Sequence, residues 1–464
     1  MKSFLMVFAI VGFIIPSSSR AATINVTSTA DSGAGSLRDA IAAASSGDTI
    51  NISVTGTITL TGGTLTISKS VTISGPGASD LAVNGNNAAR VFAVSSGATV
   101  AISGLTIENG ATLGGGGGIS NLGVLTVTNS IIKGNTTDVF GGGISNLGML
   151  TVTNSTVSGN SASCCNGGGI HNGGNLTLTN STVSGNSVAF FYGGAIYNTH
   201  LLSMTNDTFS GNTAGCCRGG GIANFGAVTV KNTILAGSLA GANCYKGGGG
   251  SFVSQGHNLS DDASCATWFT GMGDGNTATA GLDPAGLKNN GGATPTIALL
   301  PGGPAVDAVP MSPANYCTLT DGISVIAADQ RGVSRPGGSA CDIGAFELVQ
   351  TMTVTIDIKP GEGPAPINTK SKGTIPVAIL SNANFDAFNQ VDQTSLTFGH
   401  TGNEKSLAFC SGPQDVDGDG LLDLVCHFNT PLTQFQAGDT KGVLGGKIVG
   451  GNTITGADAV VIVH

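Results

Sequence analysis

Charge is scarce in this chain of 464 residues: Lys and Arg number 18, Asp and Glu 27, and the four types together make up 10% of the sequence. With a formal net charge of −9 and so few cations, a nucleic-acid partner is excluded, because phosphate binding needs clustered Lys and Arg. Aromatic residues are equally thin at 5%, too few for the girdles of a membrane barrel. After the first residues no stretch approaches the roughly 20 apolar residues that a membrane-spanning helix needs. The six histidines show no H-E-x-x-H spacing, the cysteines no paired C-x-x-C, and no G-x-S-x-G elbow occurs. Helix-forming segments are nearly missing too; Ser36 to Ala44 is the one clear case.

What is present begins with an export pattern. Lys2 precedes the apolar run Phe4 to Ile15, and Ser19-Arg20-Ala21 offers small residues to a signal peptidase, so residues 1–21 read as a signal peptide. The ten cysteines are then expected to be oxidised outside the cytoplasm, in a secreted or cell-surface protein. Glycine is abundant, at 75 residues, and it recurs in register. Gly-Gly-Ile-x-Asn or its Gly-Ala-Ile variant places Ile at 119, 144, 170, 196 and 222, a repeat of about 26 residues over 111–240. Alternating segments follow, such as Leu125-Thr-Val127 and Leu176-Thr-Leu178, then Asn at 129, 154, 180, 206 and 232, then Gly-Asn pairs. Period-two alternation rich in β-branched residues predicts short strands, three per unit, and one unit cannot bury its own apolar face. Stacked coils about 4.8 Å apart would align Ile170, Leu176, Leu178 and Val183 with their counterparts, and the Asn columns would form side-chain ladders.

The fold expected is therefore all-β: a parallel β-helix, with residues 22–110 as an N-terminal cap and early coils, 241–350 as its C-terminal part, and 351–464 as a β-sandwich-like module. Gly193-Gly-Ala-Ile196 and Phe209-Ser-Gly-Asn212 resemble the paired motifs of polymorphic outer-membrane protein repeats, which implies a right-handed β-helix displayed outside the cell. Ser36-Leu-Arg-Asp-Ala-Ile41 is similar to the C-S-L-R-E-A-I motif of secreted β-helix proteins, with Gly35 for Cys and Asp39 for Glu. Asn289 to Thr296, Pro304 to Ala308, Asp329-Gln-Arg-Gly332 and Cys341 to Glu347 together resemble the choice-of-anchor Q type of domain, which implies surface display and assigns no chemistry.

The sharpest site signal is Asp415-Val-Asp417-Gly-Asp419-Gly-Leu-Leu-Asp423. Alternating carboxylates around a glycine turn suit calcium, which takes six to eight oxygens, and the expected ligands are Asp415, Asp417, Asp419 and Asp423. Cys426 stands where an EF-hand has Glu, and a strand pattern follows. A polysaccharide-cleaving enzyme would need paired carboxylates, yet Asp138 and Asp207 fall at different points of the repeat. His171 and Tyr197 occupy the outward position between Ile and Asn in adjacent units and form a possible ligand surface. Sequence proximity pairs Cys244 with Cys265, Cys317 with Cys341, and Cys410 with Cys426. Cys164-Cys165 and Cys216-Cys217 lie two coils apart, about 9.6 Å against a limit of about 7 Å for a disulfide, so vicinal or intermolecular links stay open. The function expected is structural or adhesive, with cell-surface or matrix glycans or proteins as partners and a C-terminal module stabilised by calcium. The alternative is a polysaccharide lyase, a glycoside hydrolase or a carbohydrate-binding protein using the outer face.

Overall fold

A computed structural model describes residues 21–463 except 217, 312–316, 318–325, 339, 384 and 450–451. The apolar run of the export pattern, and Cys217, thus lie outside the described residues. The chain winds into a parallel β-solenoid of about nine turns, followed by a mainly antiparallel module. Three sheets of ten, ten and eight strands run the length of the solenoid. Within one coil these are Ile170–Asn172, Asn175–Thr179 and Thr182–Ser184. A fourth ladder, not foreseen, adds two-residue strands such as Ser187–Val188 from Ala111 to Ala214.

Register is in step with the repeat: Ile170 pairs with Ile144 and Ile196, Leu176 with Leu150 and Leu202, and Val183 with Val157 and Phe209. All are buried in one continuous apolar column. Packing on the coils above and below is what satisfies each unit. At one corner Asn121, Asn146, Asn172, Asn198 and Asn224 form a ladder, each Nδ2 donating to the next Oδ1 at 2.7–2.8 Å. Asn135, Asn160, Asn186 and Asn212 form a second at 2.9–3.0 Å. The column at Asn129, Asn154, Asn180, Asn206 and Asn232 does something else: it takes the left-handed backbone, φ 48–55°, which Asn tolerates better than most residues. It turns the chain and builds no ladder.

Ser36 caps the helix Leu37–Ala43 by accepting from the Asp39 N–H, and Leu37, Ala40 and Ala44 lie against the first coils. Bare strand edges at that end are thereby covered. At the other end Phe269 enters the same core and Trp268 stacks on Phe252, with ring centroids 4.8 Å apart.

Residues after Asn276 turn back along the outside of the Thr-Val-Ser sheet, where Thr156, Thr182 and Thr208 stand in register. Thr156 Oγ1 donates to Pro295 O (2.7 Å), Thr182 Oγ1 to Gln330 Oε1 (2.6 Å), and Thr208 Oγ1 accepts from Ala345 N (2.9 Å). Gln330 Nε2 reaches Thr156 Oγ1 and Thr294 Oγ1 at 3.0 and 2.9 Å. This strap has little regular structure; it buries Leu299, Ile343 and Phe346 in one cluster with Ile234 and Leu259 of the solenoid and carries buried charge as well. Arg335 pairs with Glu347 at 2.5 Å, both side chains fully buried, and Arg331 pairs with Asp329 at 2.7 Å while lying over the Phe346 ring.

In the C-terminal module one sheet is formed by Ile356–Ile358, Thr374–Ile379, Leu424–Asn429 and Leu407–Cys410. The other contains Thr351–Thr353, Thr453–Val463, Lys441–Ile448 and Val391–Gly399, with Ala365–Asn368 beside its longest strand. Ile358, Val377, Phe398, Phe428 and Leu444, drawn from both sheets, form a core separate from that of the solenoid.

Candidate metal loop and outer surfaces

The acidic segment is the connection between the strands Leu407–Cys410 and Leu424–Asn429. Its base is closed twice: Cys410 and Cys426 form a disulfide, and Asp423 N donates to Gln414 O at 2.7 Å. Inside that ring each aspartate turns the backbone around itself. Asp415 accepts from the N–H groups of Gly418 (2.8 Å) and Gly420 (3.2 Å), Asp417 from Asp419 (3.2 Å), and Asp419 from Leu421 (2.8 Å). Gly418 and Gly420 have φ of 78° and 89°, which glycine adopts without strain.

The result brings carboxylate oxygens of Asp415, Asp417 and Asp419 within 4.8 Å of one another, all three side chains being exposed. Among the described residues no Lys or Arg forms an ion pair with them. Asp423 is not part of that cluster. It is fully buried, and its two oxygens accept from Ser381 N (2.7 Å) and Val416 N (2.9 Å), tying the loop to the neighbouring strand end. Three carboxylates brought together by an Asp-x-Asp-x-Asp-Gly turn are hard oxygen donors of the kind calcium takes, and would supply part of the six to eight oxygens it needs. Asp415, Asp417 and Asp419 would hold the ion, and Asp423 would hold the loop.

On the solenoid, His171 and Tyr197 are Cα partners and their rings stack at 5.6 Å, 18° apart. They belong to a longer column: Phe140 precedes His171 at 4.8 Å, Phe225 follows Tyr197 at 5.3 Å, and Tyr192 and Tyr245 close it, 5.2 Å apart. Arg218 lies over Tyr245 at 5.6 Å. Tyr245 escaped sequence reasoning because it follows the unit that shortens, its register with Ala223 being the signal that could have found it, and Phe225 because it lies one residue past the repeated Ile-x-Asn. His171–Tyr197 and Tyr192–Tyr245 stack, whereas Phe225 meets Tyr192 and Tyr245 edge-on at 72° and 67°. Burial pushes the His171 pKa down to about 4, leaving the imidazole neutral at ordinary pH.

The two aspartates of the repeats are not brought together. Asp207 is fully buried at a corner, where it accepts from Ser181 N (2.8 Å) and Thr205 N (3.0 Å), and burial raises its pKa well above the carboxylate range. Asp138 is exposed on the rim of a groove of about 550 Å³, formed where the fourth ladder begins. Arg90, Asn87, Thr112 and the exposed Leu113 also line it. Arg90 is fixed there by donating to the carbonyls of Gly115 and Gly116 at 2.8 and 2.9 Å.

Cys244–Cys265 and Cys317–Cys341 are also disulfide-bonded, so all three pairs expected from proximity are joined. The fold and these sites define a disulfide-stapled parallel β-solenoid carrying a separate β-module with an acidic loop. No family model, no curated protein and no solved structure matches the chain.

Proposed function

We propose that this chain is an extracytoplasmic display protein, in which the solenoid is a rigid stalk or scaffold and the C-terminal module is stabilised by calcium. The observation that carries the reading is the acidic loop closed by the Cys410–Cys426 disulfide. Disulfides persist in oxidising compartments outside the cytoplasm, and a calcium loop built into such a module suits the same location. The export pattern at residues 1–21 supports it, as do the likenesses to polymorphic outer-membrane protein repeats and to choice-of-anchor Q domains. Its partners are then glycans or proteins of a cell surface or matrix. Fractionation of producing cells, with calcium titrated calorimetrically into the mature chain, tests both halves. Export together with a single site lost in Asp417→Asn is expected; cytoplasmic retention or no calcium heat overturns the reading.

A second reading, carbohydrate binding or cleavage, is favoured by the groove that joins Arg90, Asp138, threonine hydroxyls and Leu113. A glycan array, with an assay for released reducing or unsaturated ends, separates the two. Turnover that is lost in Asp138→Asn would replace the scaffold reading with an enzyme.

A further inference from the structure

Cys164 and Cys165 stand apart from the three disulfides and from the acidic loop. They occupy the turn between the short strand Ser161–Ala162 and the strand Ile170–Asn172 of the next coil. Cys164 is exposed and Cys165 half-buried. Their sulfurs lie 2.7 Å apart, nearer than the roughly 3.5–4.0 Å optimum of non-bonded atoms even smaller than sulfur. A bridge to Cys216 would have to pass the coil between, which places Phe190 and Phe191 at this turn, and the Phe191 N–H donates to Cys216 Sγ at 3.1 Å. The geometry favours the adjacent partner over the distant one.

We infer that Cys164 and Cys165 form an exposed redox site that closes to a vicinal disulfide by exchange with a small external disulfide. Cys164 is the sulfur that meets the oxidant, because it is exposed where Cys165 is half-buried. The adjoining Cys164 sulfur, with burial, pushes the Cys165 pKa up to about 11. The Cys164 thiolate attacks R–S–S–R, forming a mixed disulfide and releasing RS⁻. Cys165 then gives up its proton to solvent or to the departed thiolate and attacks the Cys164 sulfur, and the second RS⁻ leaves and is protonated. Two protein thiols are oxidised and one disulfide is reduced to two thiols. In an oxidising compartment the site rests closed, and a reductant opens it without touching the core.

The test uses the full mature chain, treated with glutathione disulfide, blocked with maleimide and cut by chymotrypsin without reduction. Cleavage at Phe190, Phe191 and Tyr192 separates the two Cys-Cys turns, so a bridge between the turns would keep the fragments joined. The expected result is separate fragments, with Cys164 and Cys165 unlabelled until reduced. Joined fragments, or both residues labelled before reduction, overturn the inference. The single variants fix the order of attack: Cys165→Ser should accumulate the mixed disulfide with glutathione, and Cys164→Ser should do so roughly tenfold more slowly. Equal rates overturn the assignment of Cys164 as the attacking sulfur.

Discussion

Asparagine does three separate jobs within one coil, and substitutions should tell them apart. Asn172 donates to Asn198 Oδ1 and Leu201 O at 2.7 and 2.9 Å and accepts from Asn146 at 2.8 Å, the two bonds along the ladder being buried. Asn172→Ala leaves buried groups above and below without partners, which should destabilise the solenoid by about 2–4 kcal/mol in urea unfolding. An exposed change such as Thr177→Ala should shift the same midpoint by less than about 0.5 kcal/mol. Asp207 replaces the serine found at the equivalent corners, Ser155 and Ser181, and burial favours its protonated form. A carboxyl whose folded pKa is raised contributes stability at low pH and loses it as pH rises through that pKa. Asp207→Ser removes this loss, so the stability of the variant relative to the parent should rise as pH climbs above the ordinary carboxylate range. Parallel stability curves for the two proteins would show that Asp207 does not titrate on unfolding.

At the scale of elements, Gln330 is the polar centre of the contact between the strap and the threonine column, with four hydrogen-bond partners. Its amide donates to Thr156 Oγ1, Thr294 Oγ1 and Pro295 O and accepts from Thr182 Oγ1, with 2% of the residue exposed. Gln330→Ala should destabilise this contact by about 2–4 kcal/mol. The readout is hydrogen exchange: the amides of residues 294–296 and 328–330 should exchange faster, while those of Leu176–Thr179 stay protected. Uniform loss of protection would mean that strap and solenoid unfold as one. The strap also marks where the sequence stopped being legible. Period-two alternation and a spacing of 25 and then 26 residues located the solenoid strands, because strand stacking repeats what each coil encodes. Gln330 gave no periodic signal because its partner Thr156 lies 174 residues away, and Arg335 and Glu347, although 12 residues apart, sit in a segment with no strand alternation to announce their pairing. The acidic loop was readable for the opposite reason, since its contacts are local. Even so Asp423 reads as a fourth ligand in sequence and lies in a buried socket in the structure, because Ser381 comes from a distant segment. The Asn129 column was misassigned as a ladder, since spacing does not reveal the sign of φ.

For the whole molecule, the two largest cores predict two main unfolding units, with a smaller cluster from Ile234 to Phe346 joining the strap to the solenoid. The solenoid core runs from Val26 to Phe269, and the module core from Val354 to Val460, with no residue in common. Calcium should act on one of them only. Without an ion, Asp415, Asp417 and Asp419 hold three negative charges within 4.8 Å, and folding the loop must overcome their repulsion. A calcium concentration about 100 times Kd would stabilise the folded module by about 2.7 kcal/mol, enough to raise its melting temperature by roughly 10 °C. Calorimetry of the full chain should therefore show two transitions, with calcium raising one and a chelator lowering that same one. Asp417→Asn should abolish the shift. Cys410→Ser with Cys426→Ser should shrink it, because the loop then has to be ordered by the ion alone. If both transitions move together, the ion acts elsewhere or the two cores unfold as one; if neither moves, the loop is an acidic turn and the proposed calcium site fails.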